Sequence, residues 1–96
     1  MEKMLVITRH RFEPQELRVT RGETITIRNE SRENHTVTAD DGIFDSDIIG
    51  PTEEIIMEIP DDIPLGVNTY HCSIMEDMKG VIVVRESKDE TRNNLA

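Results

Sequence analysis

Aromatic residues and cysteine are scarce in this sequence. The chain has no tryptophan, one tyrosine, two phenylalanines and a single cysteine. Its core must therefore be built mainly from aliphatic side chains, and one cysteine excludes an internal disulfide. A lone thiol is compatible with any compartment, so cysteine usage does not fix the redox environment. A lone cysteine is most often a small buried hydrophobic residue, and its neighbours must make any case for chemistry.

Basic residues are also few. Lysine and arginine number 11 against 20 aspartates and glutamates, which gives a formal net charge of −9. Phosphate groups would be repelled by this excess, so the charge argues against nucleic-acid binding. If the acidic surface is functional, it predicts a basic partner protein and faster encounter at low salt.

Long apolar runs are absent. No stretch approaches the roughly 20 residues that a membrane-spanning helix needs, so we expect no transmembrane segment. The start of the chain, residues 1–8, is too short for a signal peptide and has no small-residue cleavage site. The sequence therefore predicts either a cytoplasmic protein or one whose leader has been removed. With 96 residues in total, we expect a single domain.

Short alternating runs of apolar and polar residues cover most of the chain, and no convincing helix of ten or more residues is present. Leu17 and Val19 alternate with polar residues before Arg21-Gly22-Glu23, and Ile25 and Ile27 alternate after it. Two such runs around a glycine turn predict a β-hairpin. Residues 43–52 have no clean period and predict a long loop, with at most one helical turn. Residues 81–84 are the most apolar run, which suits an inner strand.

The sum of these runs predicts an all-β fold, an antiparallel Greek-key β-sandwich of about seven or eight strands. We expect this domain to cover residues 1–86. Residues 87–96 are polar throughout and predict a disordered tail.

The stretch that carries chemistry is residues 68–80, a strand that ends on Cys72, followed by a loop with Met75 and Met78. A strand end and a tight loop can hold ligands rigidly at one end of a sheet. Thiolate and thioether sulfurs are soft ligands that suit copper, especially copper(I). The sequence therefore predicts a soft-metal site, for which the rest of the chain must supply an imidazole.

The order and spacing of several short motifs then resemble the cupredoxins, the small type 1 copper proteins such as plastocyanin, amicyanin and halocyanin. These motifs are Phe12-x-Pro14, Leu17-x-Val19, Gly22-x-Thr24-Ile25, Asn29, His35-Thr36-Val37, Phe44-Asp45-Ser46, Tyr70-x-Cys72 and Met78-x-Gly80-x-Ile82-x-Val84. Each motif is weak alone, but together they span nearly the whole predicted domain. The resemblance implies a β-sandwich with copper near one end, one-electron transfer rather than enzymatic catalysis, and a periplasmic or extracytoplasmic location.

The resemblance also implies ligands by position. His35 matches the first imidazole ligand, Cys72 the thiolate, and Met78 the axial thioether of members with a short ligand loop. Thr36 stands where many members have an asparagine that braces the loop. Three residues after the cysteine, where the family places its second histidine, this chain has Met75. A set of His35, Cys72, Met75 and Met78 should favour copper(I), raise the reduction potential and weaken copper(II) binding.

Each of these four residues also has a simpler interpretation. Cys72 can be a buried hydrophobic residue, His35 a hydrogen-bonded histidine at a strand end, and Met78 a core side chain. Met75 either binds the metal or covers an open position without bonding.

Two further histidines could replace the missing ligand. His71 neighbours Cys72 on a strand, so it should point to the opposite face and lie at the surface. His10 lies in a region that belongs to the copper end in plastocyanin-like members, although an exposed histidine is its simpler interpretation.

Three functions remain open: an electron carrier with an atypical copper site, a copper(I) binding or delivery protein, and a metal-free cupredoxin-fold module that binds a partner. Other chemistries fit less well. Structural zinc needs more cysteine and histidine, and a cysteine nucleophile would need an orienting group and an oxyanion hole, which the sequence does not indicate.

Overall fold

The computed structural model describes residues 3–86 and contains two four-stranded sheets. The predicted tail at residues 87–96 lies outside the described residues. The strands in chain order are β1 (Lys3–Ile7), β2 (Phe12–Glu13), β3 (Glu16–Thr20), β4 (Thr24–Asn29), β5 (Thr38–Ala39), β6 (Glu54–Glu58), β7 (Gly66–His71) and β8 (Lys79–Arg85). The first sheet has the order β2-β1-β4-β6 and the second the order β3-β8-β7-β5. The predicted all-β sandwich is confirmed.

The core between the sheets is aliphatic, as the scarcity of aromatic residues predicts. Its largest fully buried side chains come mostly from alternate positions of the strands and include Leu5, Ile7, Ile25, Ile27, Ile59, Ile63 and Ile82. The run at residues 81–84 lies in β8, between β3 and β7, so the predicted inner strand is also confirmed. In the part of the chain that the structure describes, no helix is long and apolar enough to cross a membrane.

The predicted hairpin around Gly22 is wrong. β3 pairs with β8 in one sheet, whereas β4 pairs with β1 and β6 in the other. The N–H of Arg21 donates to Arg85 O at the end of β8, while the N–H of Gly22 donates to Ile59 O beyond β6. The chain therefore crosses from one sheet to the other within one peptide unit. Alternation shows which face of a strand is buried but not which strand is its neighbour, so the pattern could not separate a hairpin from this crossing.

The predicted antiparallel sandwich also contains two parallel strand pairings. β1 pairs with β4 in parallel, and so does β3 with β8; the other pairings are antiparallel. Residues 43–52 form the predicted long loop without a helical turn. This loop is attached to the sandwich by the buried side chains of Phe44 and Ile49 and by isolated bridges at Asp45 and Ile49.

The three aromatic rings pack together beneath the end of β7. Tyr70 meets Phe12 edge-on at 4.8 Å between ring centroids, and Phe44 lies 6.3 Å from Tyr70. Gly80, the partner of Tyr70 across β7 and β8, leaves the space that the phenol ring occupies, because a Cβ there would overlap the ring. This aromatic cluster anchors the end of β7, directly before Cys72.

Candidate metal centre

Cys72 lies directly after β7, and a six-residue loop connects it to β8. The N–H of Cys72 donates to Met78 O at 3.0 Å, and the N–H of Met78 donates to Met75 O at 2.9 Å. One backbone hydrogen bond therefore joins the two ends of the loop, and a second closes a turn inside it. Cys72, Met75 and Met78 are held on one short, constrained segment at the end of the second sheet.

His35 lies on the segment between β4 and β5 and is held by the long loop. Its N–H donates to Ile49 O at 3.1 Å, and the N–H of Ile49 donates to His35 O at 2.8 Å. This reciprocal pair is one of the two bridges that attach the loop to the sandwich. It fixes the backbone of the histidine.

The thiol and the imidazole face each other. Cys72 Sγ lies 3.5 Å from His35 Nδ1, and both side chains are fully buried. The N–H of Thr36 donates to the same sulfur at 3.4 Å. Burial lowers the pKa of His35 below its usual value of 6.5. The negative charge of Glu33 opposes this shift, whereas electrostatic repulsion by His10 lowers the pKa further. A lowered pKa favours the neutral imidazole, which is the form that binds metal ions.

The second nitrogen of the same ring is unpaired. His35 Nε2 is buried and has no hydrogen-bond partner among residues 3–86. Whichever nitrogen carries the proton, Nδ1 contacts the Cys72 sulfur, and Nε2 has no partner in the described part of the chain. Buried polar atoms are normally hydrogen-bonded, so this unpaired ring nitrogen calls for a specific explanation.

The two methionines differ in burial. Met78 is 3% exposed and belongs to the core cluster, whereas Met75 is half-buried and packs against that cluster. Met75 and His35 line the same surface depression, together with Asn34, Pro51 and Ile74. Met75 thus lies beside the buried imidazole, at the surface of this end of the molecule.

Thr36 braces the loop, as its position in the sequence suggested. Its Oγ1 accepts the N–H of Ser73 at 2.8 Å and lies 3.1 Å from Ser73 Oγ and 2.9 Å from Thr38 Oγ1. A hydroxyl thus fixes the residue that follows Cys72, while the backbone of the same threonine contacts the sulfur.

The other histidines lie elsewhere. His71 points away from Cys72, as predicted: its Nδ1 lies 2.6 Å from Asp40 Oδ1 at the surface. Hydrogen bonds from Thr69 and from His71 lower the pKa of Asp40. His10 is exposed and lines a depression with Arg9 and Arg32. Among residues 3–86, no three His, Cys, Asp or Glu side chains come close enough to hold a metal ion, so neither histidine completes such a set with His35 and Cys72.

Asn29 is a positioning residue whose role the sequence did not reveal. Its fully buried side-chain amide donates to Glu33 O at 2.8 Å and to Ile49 O at 2.9 Å, so it shares the Ile49 carbonyl with His35. Its Oδ1 accepts from Ser31 N at 2.9 Å and Ser31 Oγ at 2.7 Å. An asparagine side chain that accepts from the backbone two residues later is a common turn motif. This motif is the local sequence signal that could have indicated the role of Asn29.

Replacing Asn29 by alanine should destabilise the protein and loosen His35. The change removes hydrogen bonds to two carbonyls in a buried environment, so we expect a loss of about 2–3 kcal/mol in the free energy of unfolding. Chemical denaturation measures the loss. Asn34→Ala is the matched control, because Asn34 is exposed and should change stability by less than about 0.5 kcal/mol. Equal stability of the two variants would show that the Asn29 hydrogen bonds do not hold this segment in place.

A sequence model of a known protein family matches most of this chain. Residues 2–84 match the model described as the cupredoxin-like domain. The chain belongs to the cupredoxin-like domain family. The resemblance seen in the motifs is thereby confirmed over nearly all of the described residues. The comparison with curated proteins gives no match.

Solved structures share the cupredoxin fold of this chain. The purple cupredoxin from Nitrosopumilus maritimus superposes with a TM-score of 0.72 at 18% identity, over 86% of this chain and 99% of that one. The reduced Cu(I) form of an amicyanin variant gives 0.73 at 23% identity, over 86% and 81%. The copper-containing nitrite reductase of Thermus scotoductus SA-01 gives 0.75 at 23% identity, over 91% of this chain but only 23% of the reductase. At these identities the likeness shows the fold.

Proposed function

We propose that this cupredoxin-like chain binds one copper ion through His35 Nδ1, Cys72 Sγ and the Met78 thioether, and that it carries single electrons. The observation that supports this most strongly is the buried contact of 3.5 Å between Sγ and Nδ1. An imidazole nitrogen and a cysteine sulfur that face each other in a buried pocket fit the ligand types of a copper–thiolate centre.

The electron-carrying function rests on the rigidity of the frame. Cys72 and Met78 are joined by a backbone hydrogen bond, and His35 is joined to Ile49 by two. Because these segments are fixed by the sandwich, the ligands can keep one geometry in both oxidation states. Bound copper would supply the one-electron couple between copper(I) and copper(II). The relatives named as a purple cupredoxin and as a Cu(I) form of amicyanin agree with this proposal.

Met75 makes the proposed site atypical. It lies beside His35 at the opening of the site, in the position where the family resemblance leads one to expect a second imidazole. A thioether there is a softer and weaker donor to copper(II), so the reduction potential should be higher than with two imidazoles. In this proposal Met75 occupies the fourth position and keeps water away from the metal.

The same pair of thioethers supports copper(I) binding or delivery as a second candidate. Met75 is half-buried and borders the depression that leads to His35. A partner could therefore reach this ligand from solvent and exchange copper(I) there. This candidate predicts tight copper(I) binding without a stable coloured copper(II) form.

A basic redox partner is part of the proposal. Ile48 and Ile74 are exposed apolar side chains near the site, and Ile48 shares a depression with Thr36, Asp45 and Asp47. Exposed apolar residues bordered by carboxylates suit a partner with basic residues around an apolar contact. The net charge of −9 would also speed its approach at low salt.

Copper loading separates these candidates. The purified protein would be titrated with copper(II), its visible spectrum recorded, and the loaded form examined by voltammetry. An intense thiolate-to-copper band with a reversible couple supports electron transfer. Tight copper(I) binding in a competition titration without that band supports copper handling. Failure to bind either ion would reject the proposal and leave a metal-free module.

A further inference from the structure

Strand β6 forms a free edge of the first sheet, on a part of the molecule that the proposed copper site does not use. It lies at the end of the order β2-β1-β4-β6, and within residues 3–86 it pairs with β4 alone. Three backbone hydrogen bonds join the ends of β6 to β4 and to the residues just before β4. They run from Gly22 N–H to Ile59 O, from Ile59 N–H to Glu23 O and from Asn29 N–H to Glu53 O. These bonds direct the backbone of residues 53 and 59 toward β4.

The alternation of an antiparallel ladder then fixes the direction of the remaining groups. Residues 53, 55, 57 and 59 face β4, so Glu54, Ile56 and Glu58 turn their N–H and C=O groups to the open edge. None of these three N–H groups has a backbone partner outside the strand ladder in the part of the chain that the structure describes. An edge of this kind can accept one more strand.

The side chains of β6 are incompletely covered on both faces. Ile56 is 66% exposed on the outer face, while Ile55 and Met57 are only half-buried on the core side. Three consecutive apolar residues thus reach the edge. An added strand with aliphatic side chains would cover all three.

Carboxylates border this apolar run. Glu54 and Glu58 are exposed, lie on the same face as Ile56, and form no ion pair with residues 3–86. Edge strand β3 of the other sheet differs, since its Glu16 and Arg18 pair with each other at 3.3 Å. Arg28, which lies opposite Glu54 on β4, forms its ion pair with Glu30 instead. β6 therefore presents two carboxylates that form no ion pair with residues 3–86, one on either side of an isoleucine.

This charge pattern disfavours a second copy of the chain. Antiparallel pairing of two β6 strands about Ile56 would place Glu54 of each copy against Glu58 of the other. Like charges directly opposite each other are destabilising. A partner with basic residues at both positions would instead gain two favourable cross-strand pairs.

We propose that the free edge of β6 binds an extended segment of another protein as an additional antiparallel strand. The segment has an aliphatic residue opposite Ile56 and a lysine or arginine opposite each of Glu54 and Glu58. Its intervening residues are aliphatic, because they lie beside Ile55 and Met57. This interaction does not depend on the metal.

The probe is a capped peptide, Thr-Lys-Val-Val-Val-Lys-Thr, titrated into isotope-labelled protein and followed by NMR. We expect amide shifts centred on β6 and slower hydrogen exchange at Glu54, Ile56 and Glu58. The double variant Glu54→Lys/Glu58→Lys should bind the peptide about tenfold more weakly and should gain affinity for the same peptide with glutamate in place of lysine. Glu16→Lys is the matched control on the other edge and should bind as the wild type does. No binding by the wild type, or equal binding by the double variant, would overturn the proposal.

A single charge reversal tests the edge without any partner. Glu54→Lys alone would make the strand self-complementary, because each new ammonium group would lie opposite Glu58 of a second copy. We expect this variant to dimerise in sedimentation experiments at concentrations where the wild type and the double variant are monomeric. A monomeric single variant would show that the edge is closed and would count against the proposal.

Discussion

Replacing Cys72 by serine is expected to abolish the coloured copper(II) centre and to weaken copper(I) binding by at least about 100-fold, more than the loss typical of an outer-shell residue. A serine hydroxyl stays protonated near neutral pH and is a hard donor, so it supplies neither the soft bond nor the thiolate-to-copper absorption. Visible spectroscopy and a copper(I) competition titration measure both effects.

The variant should remain folded, which keeps the result interpretable. The buried N–H of Thr36 that donates to Sγ can donate to the serine oxygen instead, so circular dichroism should show an unchanged β-sandwich. Ser73→Ala is the matched control, because it removes the exposed hydroxyl next to Cys72 but keeps the N–H that donates to Thr36 Oγ1. Colour retained in Cys72→Ser, or lost equally in Ser73→Ala, would contradict the assignment of the thiolate.

Replacing Met75 by histidine is expected to strengthen copper(II) binding and lower the reduction potential. Met75 lines the depression beside His35, so an imidazole there would give the centre two nitrogen donors. If copper(II) binding tightens about 100-fold relative to copper(I), the potential falls by about 120 mV, since tenfold corresponds to 59 mV for one electron. Voltammetry of the loaded protein measures the shift.

Leu65→His is the control for this substitution. Leu65 is exposed and directly precedes β7, so it lies at the opposite end of that strand from Cys72. A histidine there adds a surface imidazole without approaching the site and should leave the potential unchanged. An unchanged potential in Met75→His as well would show that Met75 does not contact the metal.

The fold could be predicted from the sequence because its strands follow the alternation of a two-layer sandwich. β8 has the most apolar run and lies inside its sheet, with Ile82 and Val84 buried. The connectivity could not be predicted in the same way. Leu17 and Ile25 alternate alike on both sides of Gly22, yet they enter the core from opposite sheets, and only long-range pairing decides this.

The site could be predicted only in part. The spacing of Cys72, Met75 and Met78 is local, so the sequence placed them on one loop, and the motif around His35 brought in the imidazole. The sequence did not show that Ile49 and Asn29 hold the histidine, because that contact joins residues 20 positions apart. Burial of one methionine and partial exposure of the other also depend on packing between distant segments.

A crystal of the copper-loaded protein, with diffraction data on both sides of the copper absorption edge, tests the central claim most directly. The proposal predicts one anomalous peak between His35 Nδ1 and Cys72 Sγ, within bonding distance of both atoms and with the Met78 sulfur as a further ligand. A peak at His10 or at His71, with the buried thiol and imidazole still in direct contact, would contradict it.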